Sequence, residues 1–231
     1  MLERIKDRII TVEQALDLVK DNDQIVTGLG ATEGKEFLSN IHKLHGKVKN
    51  VTVNNCLPMN NYEFFTNPEY VDTFNLDGWF YNPGMRKAHA NGNISFIPNH
   101  LHFAGKKRFD HIHVNIYVGL ATYPDKHGYV SLGTSVDATL AAIETAEYVI
   151  AVVNKHVPRA FGDAMIPMSM IDIFVEHDSE LEPAHFSEPS AIETAIGNNC
   201  AALIEDGATL QMGIGAIPNA VLAQLGKNKN L

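Results

Sequence analysis

Two hydrophobic periods alternate along this chain. Val48-Lys-Asn-Val-Thr-Val53 and Asp110-His-Ile-His-Val-Asn-Ile-Tyr-Val118 alternate apolar and polar residues, the period of a strand with one buried face. In the second, Ile112, Val114, Ile116 and Val118 share a face. Tyr148-Val-Ile-Ala-Val-Val153 is apolar throughout, as expected of a strand covered on both sides. Residues 24–27 read as a further strand. Residues 11–20, 33–45 and 135–146 read as helices, with Asp137 near the start of the last. Alternating strands and helices predict an α/β fold built on an open, mostly parallel sheet. Ligands of such sheets sit beyond the carboxyl ends of the strands.

The stretch Ala208-Thr-Leu-Gln-Met-Gly-Ile-Gly-Ala-Ile-Pro-Asn-Ala-Val-Leu-Ala-Gln-Leu225 carries the most specific pattern. It predicts a buried strand, a glycine loop, and a helix opened by Pro218. Proline suits the first helical position because its missing N–H has no partner there. Gly213 and Gly215 let backbone approach a ligand closely. The free N–H groups and positive end of the helix suit a phosphate-bearing ligand. The same residues could also make nothing more than a tight strand-to-helix turn.

This unit occurs twice. Residues 21–31 lie on residues 206–216 at a constant offset (213 − 28 = 185), with one aspartate, both glycines and the alanine identical. A capping-box pattern precedes each copy, Thr11-x-x-Gln14 and Ser190-x-x-Glu193. Cap, helix, aspartate, strand and glycines together point to a duplicated domain. The acidic stretch Asp178–Pro189, with Pro183 and Pro189, is the candidate linker. The reading is one complete domain at 1–185 and the first helix, strand, loop and helix of a second at 186–231.

Charge and cysteine content narrow the partners. A net charge of −9 argues against nucleic acid or an anionic membrane as the main partner, because both favour basic patches. No transmembrane run is present, and the charged start Met1-Leu-Glu-Arg-Ile-Lys-Asp-Arg8 lacks the apolar core of a signal peptide. Cys56 and Cys200 lie far apart without metal or redox spacing, which suits a cytoplasmic protein with reduced thiols.

Other residues give mixed signals. Asn154-Lys155-His156-Val157-Pro158-Arg159-Ala160-Phe161-Gly162-Asp163 follows the most apolar strand; it reads either as a ligand-facing loop or as one closed by an Arg159–Asp163 ion pair. His100-x-His102 and His111-x-His113 would each put two imidazoles on one strand face. Polar-face histidines outweigh a zinc site there, so no metal ligand is assigned. Asp125-Lys126-His127-Gly128-Tyr129 is turn chemistry. Gly78-Trp79-Phe80-Tyr81 suits packing, and Asn82-Pro83-Gly84-Met85-Arg86 a turn presenting Arg86. Against the dinucleotide fingerprint, Pro218 stands where a third glycine is wanted.

Thr209-Leu-Gln-Met-Gly-Ile-Gly-Ala-Ile-Pro218 resembles the coenzyme A-binding loop of the acetyl-CoA hydrolase/transferase family. Gly78-Trp-Phe80, Arg86, Ile97-Pro98, Pro124-Asp-x-x-Gly128, Ser135-x-Asp137, Val153-Asn154, Val157-Pro158 and Gly162-Asp163 resemble family landmarks in family order. The 4-hydroxybutyrate CoA-transferase branch is the nearest in pattern. The resemblance implies two similar open α/β domains of the CoA-transferase type. It implies transfer of coenzyme A between an acyl-CoA and a short carboxylic acid through a glutamyl-CoA thioester, with no tightly bound cofactor. Gly213, Ile214, Gly215, Ala216 and Ile217 would grip coenzyme A.

In the family the nucleophilic glutamate follows this helix in a Gly-Ile-His-Ser/Thr-Glu segment. Lys229-Asn230-Leu231 leads toward that position, so no catalytic residue is assigned within 1–231 and the glutamate is expected beyond Leu231. The expectation is a chain that does not turn over alone and that self-associates through Val221, Leu222 and Leu225. Ala121-Thr-Tyr-Pro124 departs from the Ser-Pro-Pro of relatives, which leaves the acid unassigned. A nucleotide-binding α/β module and a non-catalytic remnant are the competing readings.

Overall fold

The computed structural model describes residues 5–183 and 188–231. They form two compact units, Met1–Glu182 and Pro183–Leu231.

The first unit is organised by eight parallel strands. In chain order these are β1 (Ile9–Ile10), β2 (Gln24–Thr27), β3 (Val51–Asn55), β4 (Phe74–Gly78), β5 (Ile94–Phe96), β6 (Ile116–Ala121), β8 (Tyr148–Val153) and β10 (Ile173–Glu176). Their spatial order is β1-β10-β8-β6-β2-β3-β4-β5. A separate antiparallel pair, β7 (Tyr129–Ser131) and β9 (Met165–Pro167), sets Val130 opposite Ile166.

Burial explains the sheet. Every residue of β6 is buried, and so are all of β8 after Tyr148, as both strands are covered on two faces. On one face Ile25, Val51, Val53, Leu76, Val118, Ile150 and Val152 meet α1 (Val12–Leu16), α2 (Lys35–Asn40), α3 (Glu63–Thr66) and α4 (Pro83–Ala88) through Leu16, Phe37, Leu38, Phe65 and Met85. On the other face Val26, Tyr117, Val149, Ala151 and Phe174 meet α5 (Lys106–Phe109) and α6 (Thr139–Thr145) through Phe109, Ala142 and Ile143. Each fully buried Leu, Ile or Phe adds roughly 1.5–3 kcal/mol of driving force. The result is a sheet sandwiched by helices, the α/β architecture expected.

Several boundaries differ from those read in the pattern. The strand expected at 110–118 begins at Ile116, and residues before it pass through a turn. Ile116 is where the chain first sits between β2 and β8, opposite Ile25 and Tyr148. The helix expected at 33–45 is Lys35–Asn40 continued by one tighter turn, and that at 135–146 is confined to Thr139–Thr145. His100 caps and His102 lies within a short 3-10 turn rather than a strand; their rings stack at 5.5 Å.

The second unit contains α7 (Ala191–Ala201) and α8 (Ala216–Gln224). They cross at Gly197, where an added Cβ would lie 2.7 Å from the Ala220 carbonyl carbon. Residues 208–212 are not the buried strand expected: Thr209 and Gln211 are exposed, and the segment joins no ladder among the described residues. Both capping boxes are present, with Gln14 N–H on Thr11 and Glu193 N–H on Ser190.

Candidate functional site

The strand order reverses at β2. Its connection runs to β3 on one side, and β6 on the other side leads away to β8. Such a reversal opens a crevice beyond the carboxyl ends of the strands. The segment 28–34 fills its rim. Gly28 N–H donates to the Val118 carbonyl at 3.0 Å, and Glu33 forms an antiparallel bridge with Gly119. Only glycine fits at position 28, because a Cβ would lie 2.2 Å from the Thr32 carbonyl oxygen.

Glu33 sits in this rim at 2% exposure with no cationic partner among the described ion pairs. Its carboxylate accepts from Met59 N–H at 3.2 Å, Asn60 Nδ2 at 3.1 Å and Asn55 Nδ2 at 3.2 Å. Burial pushes its pKa up, against the opposing pull of hydrogen bonds from Tyr62, Asn60, Asn55 and Met59. Thr27 Oγ1 and Asn55 Oδ1, at the ends of the paired strands β2 and β3, are buried without a hydrogen-bond partner. Sequence reasoning passed over this cluster. Its one available signal was Glu33 as the lone acid in a glycine loop after a central strand.

Cys56 and Tyr117 belong to the hydrophobic cluster on the other face of the sheet, with Asp137 close enough to act on both. Burial, with Asp137 adding to it, pushes the Cys56 thiol up to about 12. Burial also raises Asp137. An open cleft of about 630 Å³ nearby is lined by His100, Leu101, His102, Gly105, Asp137 and Ala141.

The loop after β8 is tied to the turn after β6. Arg159 pairs with Asp125 and not with Asp163, as the local reading had it. The Asp125 carboxyl is held low by the Tyr129 N–H first, then by His127 and Arg159. Ser131 Oγ donates to the Ala160 carbonyl and accepts the Ala160 N–H, both at 2.9 Å. Asn154 Nδ2 donates to Ser179 O at 2.7 Å, so this side chain anchors the loop.

His113 lies 2.7 Å from Glu147. Among the described residues, no group of three His, Cys, Asp or Glu side chains could hold a metal, and no helix is long and apolar enough to cross a membrane. Trp79 is buried against Phe109, Phe80 is exposed, and Asn82 caps α4 while Arg86 Nε holds the Tyr81 carbonyl.

In the second unit Gly213, Ile214, Gly215, Ala216 and Ile217 form the turn into α8. Ile214 is 97% exposed and Gly215 has φ 143°, a conformation that glycine tolerates. The helix starts at Ala216, so Pro218 is its third residue and not its first. Its missing N–H is still harmless, because first-turn N–H groups have no intrahelical acceptor. An added Cβ at Gly213 would meet only Pro218 Cγ, at 3.7 Å.

Two segments separated by the offset of the sequence pattern share a hydrogen-bond arrangement. Asn22 N–H donates to Lys49 O and Gly207 N–H to Lys229 O, each at 2.9 Å. Asp21 accepts from Lys49 N–H, and Asp206 from Lys229 N–H, again each at 2.9 Å. Asn22 and Gly207 both have positive φ (66° and 79°), and so do Asn50 and Asn230 (55° and 57°).

A family model described as the acetyl-CoA hydrolase/transferase N-terminal domain matches residues 3–184. The chain belongs to the acetyl-CoA hydrolase/transferase family. The 4-hydroxybutyrate coenzyme A transferase of Clostridium kluyveri is 34% identical over 99% of this chain and 53% of its own length. The succinyl-CoA:cyclohexane-1-carboxylate CoA transferase of Geobacter metallireducens is 29% identical over 98% of this chain and 51% of its own. Among solved structures, a 4-hydroxybutyrate CoA-transferase from Porphyromonas gingivalis superposes with TM-score 0.75 at 28% identity, covering 99% of this chain and 54% of that one. RipA of Yersinia pestis superposes with TM-score 0.91 at 24% identity over 98% of this chain and 55% of its own, a likeness of fold. The homologues of this chain are CoA-transferases, and the chain spans about half the length of those it matches.

Proposed function

We propose that this chain is the coenzyme A-gripping portion of a CoA-transferase acting on short carboxylic acids of the acetate, butyrate or 4-hydroxybutyrate type. The observation that carries the reading is the open turn Gly213–Ile217 at the start of α8, with Ile214 almost fully exposed and no side chain capping the helix start. Backbone donors fixed in this way suit a phosphate or pantetheine group and a developing oxyanion.

The chemistry proposed is a double displacement. A glutamate carboxylate attacks the acyl-CoA thioester carbonyl and expels the coenzyme A thiolate. The thiolate attacks the glutamyl carbonyl of the resulting anhydride, releasing the first acid and leaving a glutamyl-CoA thioester. The acceptor carboxylate then repeats the sequence in reverse and leaves as a new acyl-CoA. Covalent steps of this kind divide one difficult exchange into easier ones. The nucleophile is assigned to the segment that follows α8 in the family, and to no glutamate of residues 1–231.

The domain reading belongs to the same proposal. Residues 186–231 open a second α/β domain like that of residues 1–185, a view supported by the matching Asn22–Lys49 and Gly207–Lys229 bonds. Of the residues expected to drive self-association, Val221 and Leu225 are buried and Leu222 is exposed; with Leu222, the exposed Ile192, Leu203 and Ile214 support self-association through the second unit.

The test is calorimetric titration with coenzyme A and NAD. Binding of coenzyme A, its loss in G215V, and no binding of NAD are the expected results. Binding of NAD alone, or of neither, would overturn the reading.

A further inference from the structure

The rim of the crevice beyond β2 and β3 is built from two chain segments with no covalent reason to stay together. One is the loop 28–34; the other is the connection from β3 to α3, which contains Met59, Asn60 and Tyr62. Glu33 is the group that joins them. One carboxylate oxygen takes both Met59 N–H and Asn60 Nδ2, and the second takes Asn55 Nδ2 from the end of β3. Its own backbone is bridged to Gly119 on β6. A single residue therefore links β6 through its backbone, and the end of β3 and the following turn through its side chain, close to where the strand order reverses. We propose that Glu33 is a positioning residue of the transferase site, locking the 28–34 loop to the Met59–Asn60 turn so that the crevice is held in shape for coenzyme A or its acyl group.

This inference rests on the reading of the chain as a CoA-transferase portion. An exclusively core role would not need a carboxylate. The three donors could be replaced by apolar side chains, whereas a buried carboxylate without a cation is costly. Asn55 makes the arrangement tolerant of substitution. Its Oδ1 is buried and unpartnered, so turning its amide over presents an acceptor to a carboxamide at position 33. Glu33→Gln then keeps an oxygen on Met59 and Asn60 and donates to Asn55. Glu33→Ala removes the acceptor of Met59 N–H and Asn55 Nδ2 and leaves Asn60 Nδ2 only its longer bond to the Tyr62 hydroxyl at 3.4 Å.

Two measurements on the full chain test the proposal. The first is hydrogen exchange at the Met59 amide. E33A is expected to exchange about tenfold faster or more, as local opening becomes easier, while E33Q stays close to the parent. Unchanged protection in E33A overturns the clamp. The second is coenzyme A affinity by titration. E33A is expected to weaken it about five- to a hundredfold, the ratio that corresponds to buried donors left unpaired, with rescue in E33Q. Parental affinity in E33A, with Met59 deprotected, overturns the link to the site. If the parent chain binds no coenzyme A, the transferase reading fails, the link to the site falls with it, and the exchange result still judges the clamp.

Discussion

A buried acid with no cation is an unusual use of a residue, and Glu33 gives it a pH signature. Its ordinary value near 4.5 is raised in the fold, chiefly by burial. The folded state therefore holds this proton more tightly than the unfolded chain. The stability it contributes is complete below about pH 4.5 and is lost as pH rises through the folded value. Glu33→Gln removes the titration. The melting temperature of E33Q relative to the parent is expected to climb as pH rises from about 4.5 toward neutrality; a constant difference across that range would contradict it. The two thiols offer a second check. Cys56 is buried with its thiol raised to about 12, whereas Cys200 is exposed. A disulfide reagent at mild alkaline pH is expected to label one thiol quickly and the other only after unfolding, since the thiolate is the reactive form. Two fast equivalents would show that Cys56 is open to solvent. None of this was legible at residue level in the sequence. Burial of Glu33 arises from Gly119 on β6 and from Asn55 and Met59 at the end of β3, two segments well separated from it in the chain.

Elements were more legible than residues, and the misses have a common cause. β2 and β8 stand where their apolar runs put them, because both faces of each are covered. The pattern at 208–212 copies that of β2, yet it forms no ladder among the described residues. β2 is a strand because β3 and β6 pair with it on both sides. A strand is a property of its neighbours, and hydrophobic period alone cannot supply them. The same limit applies to His111 and His113, whose alternation with Ile112 and Val114 suggested a ladder that starts only at Ile116. In the second unit the two helices approach closely where Gly197 meets Ala220. Gly197→Ala pushes a methyl into that backbone and is expected to destabilise the pair by about 1–3 kcal/mol, the usual penalty of overpacking. This outweighs the roughly 1 kcal/mol that alanine gains over glycine in a helix. Amide exchange across α7 and α8 should rise while that of the eight strands stays unchanged; slower exchange in α7 would mean that the helices are not packed as described.

At the scale of the whole molecule, sheet, hydrophobic layers and the Glu33 cluster all lie within residues 5–183, while the proposed coenzyme A turn lies at 213–217. In the sequence the repeated pattern restarts at Ser190, inside the second unit. Fold and grip should therefore separate on truncation. A chain ending at Pro183 keeps every strand of the sheet and both helix layers. It is expected to unfold cooperatively, with a denaturant slope in proportion to its smaller buried surface. It is also expected to lose coenzyme A binding, because the amides proposed to receive the ligand have been removed. The exposed Ile192, Leu203 and Ile214 go with them, so self-association should fall in light scattering. Retained affinity in the truncated chain would show that the 213–217 amides are not needed to hold coenzyme A. Loss of cooperative unfolding would mean that the first unit depends on the second for its stability, contrary to a core that is complete within its own strands and helices.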